Sequence, residues 1–207
     1  MDVADSAPRD DPARHPGAKP LRRRGERMRA AVLGTVVRLL TEEGYDGTTV
    51  AAVAAGAGVH QSSVYRNWGT RENLIQEAVT AYTDEALPLP DTGSVDDDLR
   101  LLLRRAREFL STPEGQALLR LSLLPGGAQG AEGRDAYWTN RLDRAETVVR
   151  RGVERGELRP GIDPRLVIEL LLSPLQTKVL VLGEPLTEGL ADRLVDIVLA
   201  GVRRPVD

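Results

Sequence analysis

The chain has 207 residues, 41% of them apolar and 29% charged, with a formal charge of −3. That length and composition suit one domain or two small ones around a real core, not a disordered chain. With no cysteine, disulfides, thiolate nucleophiles and Cys-ligated metal or iron–sulfur sites are excluded. The only histidines are His15 and His60, so a His-rich metal centre or His-centred triad is not expected. No catalytic residue, metal or cofactor is therefore assigned. The first twenty residues lack the apolar run of an export signal. The longest apolar stretch, 166–182, is broken by Glu169, Ser173, Pro174, Gln176, Thr177 and Lys178, which reads as a buried helix and not a membrane span. A cytoplasmic protein without a membrane partner is expected.

The net charge hides a split. Residues 1–18 sum to −2 and residues 74–207 to −5, whereas 19–73 hold nine basic and five acidic groups, a net +4. An anionic partner is expected for that first third alone.

In chain order, residues 1–20 are rich in Pro, Asp and Ala without periodicity and read as a disordered arm. From Gly25, Met28, Ala31, Val32, Thr35, Val36, Leu39 and Leu40 recur at helical spacing, ending at Glu43-Gly44. Thr48 or Thr49 caps a short second helix from Val50 to Ala55. Ala57-Gly58-Val59 is a tight turn, and a third helix runs from His60 or Gln61 to Asn67. Thr70 caps a fourth helix to about Ala86. Ser94 opens a fifth, to about Leu110, and its three Asp residues suit the positive helix end. Pro113 can start a sixth, through Leu123 or Leu124, before a glycine-rich loop that includes Gly130 and Gly133. A seventh helix covers about 135–155. The eighth is capped by Asp163, with Pro174 expected to kink it, and the ninth runs from Thr187 to Val202. With no alternating strand, the class is all-α with about nine helices. The expected divisions are a disordered arm at 1–20, a three-helix domain at 21–70, and a larger helical domain at 71–207.

Residues 48–68 have helix-turn-helix spacing. Ala51, Ala54 and Ala55 would let the two helices cross closely, and Gly58 permits a turn that a Cβ disfavours. Val53, Val59 and Val64 form a small core. The second helix opens with His60, Gln61, Ser62 and Ser63, short polar groups able to approach base edges in a major groove.

The block from Arg24 to Leu74 resembles the DNA-binding domain of TetR-family transcriptional regulators. The resemblance rests on Thr48-Thr49, Val53-Ala54, Ala57-Gly58-Val59, Ser63-Val64-Tyr65, Trp68, Thr70-Arg71 and Leu74, with Glu43-Gly44-Tyr45 closing the helix before. It departs from the family pattern at Ala52-Val53, His60 and Asn67, the last two bearing on the operator sequence. The resemblance implies that Thr49, Tyr65 and Arg71 contact phosphates, with His60 beside them. Gln61, Ser62, Ser63 and Asn67 lie at or near base edges, Arg66 faces DNA or solvent, and Trp68 closes the core. Arg22, Arg23 and Arg24 form a basic arm toward the backbone or a minor groove.

One such unit reads few bases, so a homodimer on a palindrome is expected. Surplus apolar surface on the last two helices supplies an interface, assigned to Leu171, Leu175, Val179, Leu190, Leu194, Ile197 and Val198. The resemblance also implies a cavity for an unidentified small-molecule effector among the middle helices, with Tyr82, Phe109, Tyr137, Trp138 and Gln176 as candidate linings. The expected function is a ligand-responsive repressor of a double-stranded operator. The competing readings are an all-α enzyme and a helix-turn-helix adaptor for protein contacts.

Overall fold

The computed structural model describes residues 19–121 and 130–203, with side chains described over 25–121 and 141–203. Among the described residues it has ten α-helices and no strand. Helices α1 (Lys19–Glu42), α2 (Gly44–Gly47), α3 (Val50–Ala57), α4 (Gln61–Trp68) and α5 (Arg71–Ala86) precede α6 (Val95–Leu110), α7 (Pro113–Leu121), α8 (Gly130–Glu154), α9 (Pro164–Thr177) and α10 (Leu190–Val202).

Most boundaries follow from local chemistry. Thr70 Oγ1 accepts from Asn73 N at 3.1 Å. Ser94 caps α6 and Asp163 caps α9, where Pro164 fills the first turn. Gly44 takes a left-handed φ of +70°, as expected of the residue closing α1, and is itself the first residue of the single turn α2.

Four expectations are corrected. Helix α1 begins at Lys19, so the backbone of Lys19, Pro20 and Arg22–Arg24 is helical rather than a loose arm; the rest of the expected disordered arm lies outside the described residues. Gly130 and Gly133 belong to α8 and not to a loop. Helix α10 starts at Leu190 behind Gly189, with Thr187 contributing only a carbonyl. The eighth expected helix does not run evenly to Leu182: it continues through Pro174 to Thr177, and Lys178–Leu182 then form a π-helical turn closed by left-handed Gly183.

Two hydrophobic cores result. The N-terminal one joins Val32, Val36 and Leu40 of α1 to Val53 of α3, Val64 and Trp68 of α4, and Leu74, Ile75 and Val79 of α5. Helix α5, read from sequence as the start of the second domain, thus packs into the first core. The second core joins Leu99 and Leu103 of α6 to Val148 and Val149 of α8, Ile168, Leu171 and Leu175 of α9, and Val195 and Leu199 of α10. Phe109 touches both cores, its ring centroid 6.1 Å from that of Tyr82, and Leu118 of α7 is buried in the first. Burial, together with Glu114 and Glu85, raises the Tyr82 pKa above the usual phenol value.

Arg100 ties α6 to α10, 2.5 Å from both Asp96 and Asp196, and these hydrogen bonds hold its pKa above the ordinary guanidinium value. Asp98 is fully buried; its Oδ1 accepts from Thr92 N and Oγ1 at 2.7 and 2.8 Å, and Arg155 stands 3.8 Å from Oδ2.

Candidate nucleic-acid interface

The reading head is built around α3 and α4. Thr49 Oγ1 accepts from Ala52 N at 3.1 Å, capping α3 from an exposed position. Its neighbour Thr48 is buried and donates to Gly44 O at 2.7 Å. The close approach of α3 to α1 is made by Gly56, where a Cβ would stand 2.7 Å from Thr35 Cγ2. Ala54 is buried at the crossing, but Ala51 and Ala55 are exposed, so two of the three alanines expected there face solvent. Gly58 turns the chain with φ 66° and ψ 35°, a conformation a Cβ disfavours.

His60 is the N-cap of α4 without a side-chain cap bond, its carbonyl accepting from Ser63 N at 2.9 Å. Val64 and Trp68, four residues apart, point inward. Trp68 Nε1 donates to Glu77 Oε1 at 2.9 Å, and the same oxygen pairs with Arg29 at 2.9 Å. That leaves His60, Gln61, Ser62, Tyr65, Arg66 and Asn67 exposed and Ser63 half-buried. A phenol on a surface helix that is 52% exposed, as Tyr65 is, has no core to serve. Asn67 Nδ2 donates back to Ser63 O at 2.6 Å, which uses one of its two amide N–H donors.

Arg71, expected to contact a phosphate, is engaged within the head in this structure. Its Nε donates to Thr48 O at 2.7 Å and its Nη2 to Tyr45 O, while the guanidinium lies 4.2 Å from the Tyr45 ring centroid. The side chain clamps the start of α5 to the α2–α3 junction and so positions the head. The distant partners, 23 and 26 residues back, carry no local signal. Arg24 sits on helical backbone, and its side chain lies outside the described residues.

Behind the head, α5 through α9 enclose an apolar cavity of about 100 Å³, walled by Val79, Leu102, Phe109, Leu118, Leu142 and Leu172 among others. Of the candidate linings, Phe109 and Gln176 face it. Tyr82 packs beside Phe109 without lining it, and the side chains of Tyr137 and Trp138 lie outside the described residues. Arg105, which the sequence did not single out, also lines it.

The interface assignments divide. Leu171 and Leu175 are completely buried within the protomer and Leu190 nearly so; they are core residues, which corrects their assignment. Val179, Leu194 and Val198 are half-buried, and Ile197 is 71% exposed. Leu166 and Leu170, one turn apart on α9, are each about half exposed, as is Leu182, and Val181 more so. On α9 the exposed apolar surface thus lies one helix face away from Leu171 and Leu175, whereas on α10 it includes Ile197, as chosen.

An eight-residue helix anchored by two inward residues, presenting a polar face across a left-handed glycine turn, defines a helix-turn-helix protein of the DNA-reading class. Residues 33–78 match the family described as bacterial regulatory proteins, tetR family, and residues 89–198 match the tetracyclin repressor-like C-terminal domain. The HTH-type transcriptional regulator AqdR of Rhodococcus erythropolis is 36% identical over 179 residues, 86% of each chain. The DNA-binding transcriptional repressor TetR of Mycobacteroides abscessus is 31% identical over 189 residues, 88% of this chain and 97% of that one. The crystal structure of the TetR-family transcription regulator SCO0332 superposes with a TM-score of 0.67 at 28% identity, covering 86% of this chain and 99% of the other. The chain belongs to the TetR family and is a helix-turn-helix transcriptional regulator. That family is one of regulators, not enzymes, and no described helix is long and apolar enough to cross a membrane.

Proposed function

We propose that the chain acts in the cytoplasm as a homodimeric repressor that seats two copies of α4 in successive major grooves of a palindromic operator and is released when a small molecule fills the cavity. The observation that carries this reading is the span of α5. Its first half lies in the reading-head core through Leu74 and Ile75, and its second half supplies Val79 and Thr83 to the cavity wall. Arg71 clamps its first turn to Thr48 and Tyr45. A ligand that fits the cavity better when α5 is displaced shifts the population away from the DNA-competent spacing, by no more than its difference in affinity for the two states. The name of the Mycobacteroides abscessus relative supports repression.

On DNA, Gln61 and Ser62 approach base edges, and Tyr65, Thr49 and His60 donate toward phosphates. Thr49 retains its hydroxyl proton for that purpose, because its oxygen acts as acceptor in the cap. Arg66 adds charge at the rim. The two-fold contact is made by the exposed face of Leu166, Leu170, Val181, Leu182 and Ile197, continued by half-buried Leu194 and Val198. The reading is tested by selecting genomic fragments on the purified protein. Recovered duplexes should share a palindrome with half-sites about one or more helical turns apart, and binding should weaken steeply with salt. A protein that retains no duplex at low ionic strength refutes it.

A further inference from the structure

The cavity wall has one chemical peculiarity. Its body is aliphatic and aromatic, yet Arg105, Arg141 and Arg144 also line it, with no carboxylate among the described lining residues. Asp84, beside the cavity, pairs with both Arg144 and Arg141, the latter at 3.6 Å. Arg105 is different. The partner described for it is a backbone carbonyl, that of Pro88, to which Nη1 donates at 2.6 Å; no ion pair is described for it. Pro88 itself lines the cavity. A cation that holds only a neutral acceptor at the edge of an apolar chamber favours an anion there, since a charged acceptor makes the stronger hydrogen bond. The chamber, at about 100 Å³, is below the roughly 300–1,000 Å³ of sites for drug-sized molecules, so the apolar body must be slender.

We propose that the effector is a small lipophilic monocarboxylate whose chain fills the apolar chamber and whose carboxylate is held by Arg105. The proposal rests on the effector-cavity reading and deepens it. A carboxylate here replaces the Pro88 carbonyl as Arg105's partner, so binding also loosens the α5–α6 connection that Arg105 holds.

The test uses octanoate, octanol and octylammonium as probes on the full-length protein, followed by calorimetric titration and thermal shift. Octanoate should bind saturably, octanol at least tenfold more weakly and octylammonium not at all. Arg105→Gln should weaken octanoate by about ten- to a hundredfold, the range for loss of a charged hydrogen bond, and leave octanol unchanged. Leu102→Trp or Leu172→Trp, which fill the chamber, should abolish both. If octanol and octanoate bind wild type equally, or Arg105→Gln keeps its octanoate affinity, the carboxylate assignment is overturned while the cavity stands. If octanoate survives both filling variants, it binds elsewhere and the proposal fails. If no probe binds wild type, the cavity reading fails with it.

Discussion

Replacing Arg71 with alanine separates two roles that give the same naive result, weaker DNA binding. In the structure the guanidinium donates to Thr48 O at 2.7 Å and to Tyr45 O, and sits 4.2 Å from the Tyr45 ring centroid. Two hydrogen bonds from a charged donor are worth about 1.5–3 kcal/mol each, and a cation–π contact adds roughly 0.5–1 kcal/mol. Arg71 is only half-buried, so about half of that sum survives solvent screening, leaving about 2–3.5 kcal/mol. For a chain of this size that is a fall in Tm of roughly 4–14 °C. Operator affinity should fall because the head loses its fixed attitude, while the slope of log K against log salt should hardly change. A phosphate contact predicts the reverse: unaltered thermal unfolding, and a slope reduced by about 0.9 for each head. Arg71→Lys, which keeps the charge but not the fork, should resemble the alanine variant in stability. Thermal melts and fluorescence anisotropy across a salt series decide the matter. An unshifted melt with a flattened slope would refute the clamp.

Three further outcomes follow from the geometry. Gln61→Ala should change base preference at one position per half-site in a binding-site selection and leave the remaining positions alone; an identical selected site would remove Gln61 from the base edge. Leu170→Glu together with Ile197→Glu places charges on two exposed apolar positions, so light scattering should report monomers that keep their helical circular dichroism but bind the operator poorly and melt lower than the dimer; a persisting dimer places the interface elsewhere. Gly56→Ala drives a Cβ to 2.7 Å from Thr35 Cγ2. Overpacking of that kind costs about 1–3 kcal/mol against a gain of roughly 1 kcal/mol in helix propensity, so a small loss of stability is expected by denaturant titration. A clear gain would show that α1 and α3 move apart freely.

How much of this was legible in the sequence depended on the reach of each interaction. Caps at Thr49, Thr70, Ser94 and Asp163, and the turn at Gly58, involve atoms within four residues, and short-range chemistry identifies them. Val64 was legible as core from the helix-turn-helix pattern, whereas the inward place of Trp68 came with the family resemblance, since the helix was expected to end at Asn67. The hold of Arg71 on Thr48 and Tyr45 was not legible, because its acceptors belong to a segment more than twenty residues earlier. Arg105 was missed for a similar reason, its role depending on which helices surround it. Along α9 leucine, isoleucine and valine flank the narrow polar stripe of Arg165, Glu169 and Ser173 on both sides, so only packing shows that Leu171 and Leu175 turn inward while Leu166 and Leu170 turn out. The extra turns at the start of α1 and α8 were hidden by proline and glycine, whose poor helix propensity the rest of each helix overrides.

The shallow anchoring of α4 has an evolutionary consequence. Only Val64 and Trp68 tie that helix to the interior, so Gln61, Ser62 and Arg66 can be exchanged at little expense to folding. A duplicated gene could therefore drift to a new target sequence while its sensing half stayed intact, and an engineer could randomise the same three codons to retarget the switch.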